Sequence, residues 1–170
     1  LSFASAGVGS AQHLQGELVK QRTGLDIVHV PYRGATLAIL DILAGRIDFM
    51  MTNMADMARQ VQAGALRLIA ISDDDPFPLF PGTPQMSRLI PGFNVVGWFA
   101  LCGPKGMPAE VADRWEAAVR RAMENPDLVR RMAESGLTPR FEDRATITRR
   151  LATDRALWIE VIRAVNLRAE

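Results

Sequence analysis

The first 71 residues repeat one unit: a short apolar run, a small-residue turn, about ten residues with helical patterning, then a glycine. The apolar runs are residues 1–4, 25–30, 47–52 and 66–71. Each is too short for a helix and dense in β-branched or large apolar side chains, so each is predicted to be a strand. Their near-continuous hydrophobicity points to burial on both faces of a parallel sheet. Helices are predicted over 11–22, 35–44 and 54–63, with Gly24, Gly45 and Gly64 standing where a left-handed C-terminal residue is wanted. Strands alternating with helices in this order predict an α/β fold with right-handed crossovers.

The rhythm breaks at 73–91, where three consecutive aspartates and the prolines Pro76, Pro78, Pro81, Pro84 and Pro91 predict loop, with one helical turn near 85–89. A further strand is expected over 95–101. Beyond it the chain becomes helical. Residues 109–124 set Val111, Trp115, Ala118, Val119 and Ala122 on one face, and Asn125-Pro126 opens a helix that stops at Gly136. A short edge strand is expected at 138–141, followed by a helix over 144–167 with Ile147, Leu151, Trp158, Val161, Ile162 and Val165 on its apolar stripe. The boundary between the two regimes falls near 95–98.

Twenty basic and nineteen acidic residues, scattered along 170, give a net charge of +1 and no polybasic patch, so nucleic acid is excluded as a partner. Cys102 is the single cysteine, which rules out an internal disulfide and a zinc spacing; it is expected to be a small buried residue. The longest apolar runs fall far short of the roughly 20 residues that cross a bilayer. Leu1 opens on a strand with no initiator Met and no signal-peptide pattern, and a segment removed upstream is expected.

The most informative stretch is Ser5-Ala6-Gly7-Val8-Gly9-Ser10, a small-residue loop from strand to helix. Free amides at a helix start, with the Ser5 and Ser10 hydroxyls, would make an anion site above the strand's carboxyl end, with Ser10 as N-cap. A plain tight turn reads equally well. The loop lacks the third glycine of a dinucleotide fingerprint and the Gly-Lys-Ser/Thr ending of a phosphate loop. His13, in the first turn, reads as a packing or cap-supporting residue before a catalytic base, and His29 lies inside a strand. Neither has a nucleophile elbow beside it. At the next junction, Tyr32-Arg33-Gly34-Ala35, Tyr32 could supply an apolar wall with a polar tip, while Arg33 either pairs a carboxylate or is solvated. The third junction, Thr52-Asn53-Met54, is its equivalent. All three converge at one sheet edge, where open α/β sheets place their ligands. Asp41 and Asp56 read as surface or cap partners, Asp48 lies away from the loops, and residues 73–75 read as a solvated turn.

The order of these motifs, together with 41–48, 63–67, Pro81-Gly82-Thr83-Pro84, Pro91-Gly92-Phe93, Gly97-Trp98-Phe99 and Pro104-Lys105-Gly106-Met107-Pro108, resembles the second domain of Bug/TctC solute receptors over essentially the whole chain. The resemblance implies a type II, Venus-flytrap, periplasmic-binding-protein-like fold with C-terminal helices. It implies a periplasmic receptor that closes on a small mono-, di- or tricarboxylate and delivers it to membrane permease subunits, with no cofactor, no metal and no catalysis. Residues 1–97 would be the second ligand-binding domain, and 98–170 the segment returning to a first domain whose N-terminal part, with its secretion signal, lies before Leu1. The ligand residues it implies are Ser5, Ala6, Gly7, Gly9, Ser10, His13, Tyr32, Gly34, Ala35 and Asn53. Members often carry an acidic residue where Thr52 stands, so an amino acid ligand is disfavoured. Uncovered helix faces around Trp115 and Trp158 would favour self-association.

Two alternatives come from other classes. The effector-binding domain of a cytosolic transcription regulator shares the two-lobed fold and would need a helix-turn-helix upstream. A small phosphate-ester enzyme would need an acid, base or metal in the same cleft, and the sequence offers none.

Overall fold

In the computed structural model, which describes residues 1–93 and 95–167, three parallel strands form a sheet in the order β2-β1-β3. β1 is Ser2–Ser5, β2 Val28–Pro31 and β3 Phe49–Met50, with Phe3 set against His29 on one side and Phe49 on the other. Helices α1 (Ala11–Thr23), α2 (Ala35–Leu43) and α3 (Met54–Gln62) alternate with them. A single turn, α4 (Met86–Leu89), leads toward the C-terminal helices α5 (Ala109–Met123), α6 (Pro126–Glu134) and α7 (Arg144–Ala164).

Local chemistry sets these boundaries. Ser10 has extended backbone and its hydroxyl accepts the His13 N–H at 3.3 Å, while Gly24 at φ 69° closes α1 by donating to the Lys20 carbonyl. Gly45 and Gly64 adopt the same left-handed conformation just after α2 and α3. Asn125, with Pro126 behind it, and Asp143 cap α6 and α7 through their side-chain oxygens.

Two apolar clusters sandwich the sheet. On one face Phe3, Leu14, Leu18, Val19 and Ile27 pack with Phe93, Val95 and Val161, so α1 and α7 share a core with β1. On the other, Ala4, Ala38 and Ile47 meet Val30, Ile42 and Met50, seating α2. The alternation of Phe3 and Ala4 between faces follows from the strand's two-residue period. Phe3, Leu18, Phe93 and Val161 are almost fully buried, each worth about 1.5–3 kcal/mol.

The structure departs from the sequence reading at several elements. Residues 66–71 do not join the sheet. Ile71 instead bridges to Gln85, donating to the Pro84 carbonyl and accepting from the Met86 N–H. β3 is too short to template a fourth strand, and a wide cleft separates it from residues 66–71. Residues 95–101 and 138–141 are likewise not strands: Val95 is anchored in the core and Trp98 donates to Asp154 at 2.7 Å, contacts that fix the chain without a ladder. Cys102 is exposed, not buried, because the segment around it runs over the surface. The 73–75 aspartates are tied rather than merely solvated, with Arg140 reaching Asp73 and Asp75.

Gly16 lets α1 approach β1: a Cβ there would stand 2.1 Å from the Phe3 ring. Gly16→Ala should therefore lower stability by about 1–3 kcal/mol through overpacking, although alanine is the better helix former. Chemical denaturation with circular dichroism reads this, and a stabilised variant would refute the packing account. Ser10→Ala removes the α1 cap and should cost about 0.5–2 kcal/mol in the same assay.

Candidate functional site

All three βα junctions lie at the carboxyl end of the parallel sheet, because each strand runs directly into the helix that follows it. At the first, Gly7 (φ 139°) and Gly9 (φ 78°) hold left-handed conformations that a side chain would strain, and they fold residues 5–10 into a closed knot. The Ser10 hydroxyl donates to the Gly7 carbonyl at 2.7 Å, and the Gly7 N–H reaches Ser5 Oγ at 3.2 Å. The Gly9 N–H donates to Nδ1 of His13 at 3.0 Å, so His13 does support the cap. Both serine hydroxyls and the Gly7 and Gly9 amides are thus engaged within the loop. In the first turn of α1 the amides of Ala11 and Gln12 have no acceptor among the described residues, and in the loop neither do those of Ala6 and Val8.

The second junction is tied to the first by the Tyr32 N–H, which donates to the Ser5 carbonyl at 3.0 Å. Its phenol does not face the sheet edge freely. It donates to Asp41 at 2.7 Å, and Arg46 holds the other Asp41 oxygen at 2.7 Å. The phenol's bond and the guanidinium keep the Asp41 carboxyl below its ordinary range, while the same bond raises the Tyr32 hydroxyl. Gly34, at φ 111°, precedes α2 without any side-chain cap. Arg33 is exposed and takes no ion pair among the described residues.

At the third junction Thr52 Oγ1 donates to Asp56 at 2.6 Å and so braces the start of α3. Asn53 precedes that helix but makes no side-chain cap bond. Its Oδ1 lies 3.4 Å from where a Cβ on Gly97 would stand, so its carboxamide sits beside the 95–99 segment. Ala11, Gln12, Thr52, Asn53, Gly97 and Trp98 share the wall of a cleft of about 1580 Å³. That exceeds the roughly 300–1,000 Å³ of small-molecule pockets, so the cleft is an open trough.

Of the ten residues expected to bind ligand, Ser5, Ala6, Gly7, Gly9, Ser10 and His13 lie together in the first junction, Tyr32, Gly34 and Ala35 in the second, and Asn53 alone lines the trough. Gln12, Gly97 and Trp98 also line the trough and were not among the expected ligand residues, while Thr52, singled out at the third junction, lines it beside Asn53. For Gln12 the available signal was position: it is the second residue after the cap, where an amide has no intrahelical acceptor. Behind the loop, the His13 and His29 rings stack face to face, centroids 3.8 Å apart and 9° from parallel. Burial pushes His13 below its ordinary value; burial and then the neighbouring His13 push His29 down to about 4. Among the described residues no group of three or more His, Cys, Asp or Glu side chains is placed to hold a metal. None of the described helices is long and apolar enough to cross a membrane.

Comparison with known proteins adds the family. Its sequence profile, described as tripartite tricarboxylate transporter family receptor (TctC), matches residues 1–167. A Pseudomonas sp. (strain P51) protein, described as the UPF0065 protein in the tcbD-tcbE intergenic region, is 34% identical over 139 residues, covering 81% of this chain and 41% of its own. The chain is also similar to the periplasmic binding protein BugD, at TM-score 0.82 and 25% identity over 100% of this chain and 58% of that one. A third likeness is to MatC from Rhodopseudomonas palustris with bound malate, at TM-score 0.81 and 27% identity over 95% and 56% of the two chains. The chain spans under half the length of the Pseudomonas relative and a little over half of each solved protein. The α/β architecture is that of periplasmic solute-binding proteins, and the chain belongs to the TctC family, whose members are substrate-binding receptors and not enzymes.

Proposed function

We propose that the chain is the ligand-holding part of an extracytoplasmic receptor that binds a small mono-, di- or tricarboxylate and hands it to the membrane permease subunits of a tripartite transporter. The observation that carries this reading is the meeting of three helix starts, α1, α2 and α3, at one edge of the sheet in a chain of a receptor family. Unsatisfied amides and aligned dipoles favour a carboxylate there without a cation. The free amides of Ala11 and Gln12 and the uncapped Asn53 carboxamide supply neutral donors at the mouth of the trough. The malate held by the MatC protein supports the carboxylate class, and the name of BugD supports the periplasm.

Neutral donors suit a carrier. Each is worth about 0.5–1.5 kcal/mol, enough to select an anion and small enough to release it. A fixed guanidinium would hold more tightly; Arg33 is exposed and does not line the trough, and Arg140 and Arg150, which do, are paired with carboxylates.

Isothermal titration of the chain with malate should give heat of binding at pH 7. Asn53→Ala should weaken it by about two- to tenfold, the loss of one neutral hydrogen bond. Absence of heat with malate and with a panel of mono- and tricarboxylates would overturn the proposal. So would turnover of those carboxylates by the purified chain.

A further inference from the structure

We propose that the stacked His13–His29 pair is a proton-sensitive staple that holds both ends of the 5–10 loop, and that its uncharged state keeps the receptor competent to bind. The inference rests on the carboxylate reading above and assigns the pair a positioning role within it.

The geometry is specific. His29 Nε2 lies 2.7 Å from Ser5 Oγ at the loop's beginning, and His13 Nδ1 accepts the Gly9 N–H at 3.0 Å near its end. With the rings 3.8 Å apart, the two ends of the loop are joined through one stack. Phe3 packs on His29 at 4.8 Å between centroids, which closes the pair against the core.

The two histidines answer a proton differently. Ser5 Oγ carries one hydrogen and lies within reach of both His29 Nε2 and the Gly7 carbonyl, at 3.0 Å. If His29 gains a proton, the serine can turn its own hydrogen to Gly7 and accept. His13 has no such freedom. Its Nδ1 must stay bare to accept from Gly9, which leaves the ring's hydrogen on Nε2, 3.8 Å from Glu17. A second proton makes Nδ1 a donor facing a donor, and the Gly9 end of the loop is released. The loop carries the helix start that offers Ala11 and Gln12, so releasing it disorganises the amides that face the ligand.

The charges acting on the pair come from α1: Glu17, which favours protonation, and Lys20, 3.1 Å from Glu17, which opposes it. β1 presents only Phe3 and Ser5, β2 contributes His29 itself, and α7, also packed on α1, adds no charge that acts on either ring. Both histidines titrate below their ordinary 6.5 in the folded chain. The neutral forms are therefore the ones the fold prefers. The hold is complete above pH 6.5 and is lost as pH falls below that through the depressed titration of His13, because the unfolded chain then binds more protons.

Two measurements test this. In the ligand-free wild-type chain, the Gly9 amide resonance should shift in step with the His13 ring between pH 7.5 and 4.5. A Gly9 resonance that ignores the ring's titration overturns the staple. In calorimetry with malate, affinity should fall about tenfold from pH 7 to pH 5 in wild type and less than about twofold in His13→Asn, whose carboxamide oxygen accepts but does not titrate. The ligand's own protonation is common to both proteins and cancels in the comparison. Equal ratios in the two sink the inference alone. No malate binding at any pH, with the Gly9 titration intact, sinks instead the receptor reading on which it rests.

Discussion

Phe3 is the side chain around which the rest of the molecule is arranged. It sits on the central strand with no exposure, and its ring occupies the space that a Cβ at Gly16 would need. That close approach brings α1 down onto β1 and sets where the first turn of α1 begins. The same ring packs near Phe49 from β3 and stacks on His29 from β2, so one aromatic gathers all three strands. Burial of this kind is non-directional, yet here it carries direction, because glycine at one position leaves only one depth at which the helix can lie. Everything at the carboxyl edge inherits its placement from that contact.

A second constraint acts on the loop itself. A helix start has four amides without intrahelical partners, and a loop that satisfies all of them has nothing left to offer a ligand. The 5–10 knot divides them. Ser10 Oγ takes the amide of His13, the Gly7 carbonyl takes that of Ser10, and Ala11 and Gln12 remain. The loop's serine hydroxyls are consumed in rigidity, and on the proposed reading recognition falls to backbone whose orientation they fix. Preorganisation of this sort reduces what ordering costs on binding.

The alternation of apolar runs with glycine-stopped helices made α1 to α3 and the central strands legible from residues alone, to within a few positions, because caps and left-handed glycines are local chemistry. Residues 66–71 and 95–101 were not legible. An unbroken apolar run says only that a segment is fit to be buried; whether it becomes a strand depends on a neighbour with free ladder groups, and that is a tertiary fact. The site divides in the same way. Ser5, Gly7, Ser10 and Asn53 are recognisable by type and by place after a strand. That Tyr32 turns its hydroxyl to Asp41, that Asn53 faces Gly97, and that His13 and His29 stack although sixteen positions separate them follow from packing that no local pattern encodes.

Charge arithmetic bears on the anion binding proposed for this edge in a chain that carries almost no net charge. Each helix start behaves as roughly half a positive charge, effective only within its first turn, and stabilises a nearby anion by about 0.3–1 kcal/mol where solvent has access. The starts of α1 and α3 both reach the trough wall, through Ala11, Gln12, Asn53 and Met54, while a neutral solute gains little from a helix start. Arg33, at the second junction, is exposed and screened by water, while Arg67, Arg140, Arg150 and Arg155 line the trough. On the proposed reading, the contribution of the helix starts to anion binding rests on backbone geometry, which does not titrate. The imidazoles proposed to hold this geometry titrate below their ordinary range, so proton concentration acts on them on the acid side of neutrality.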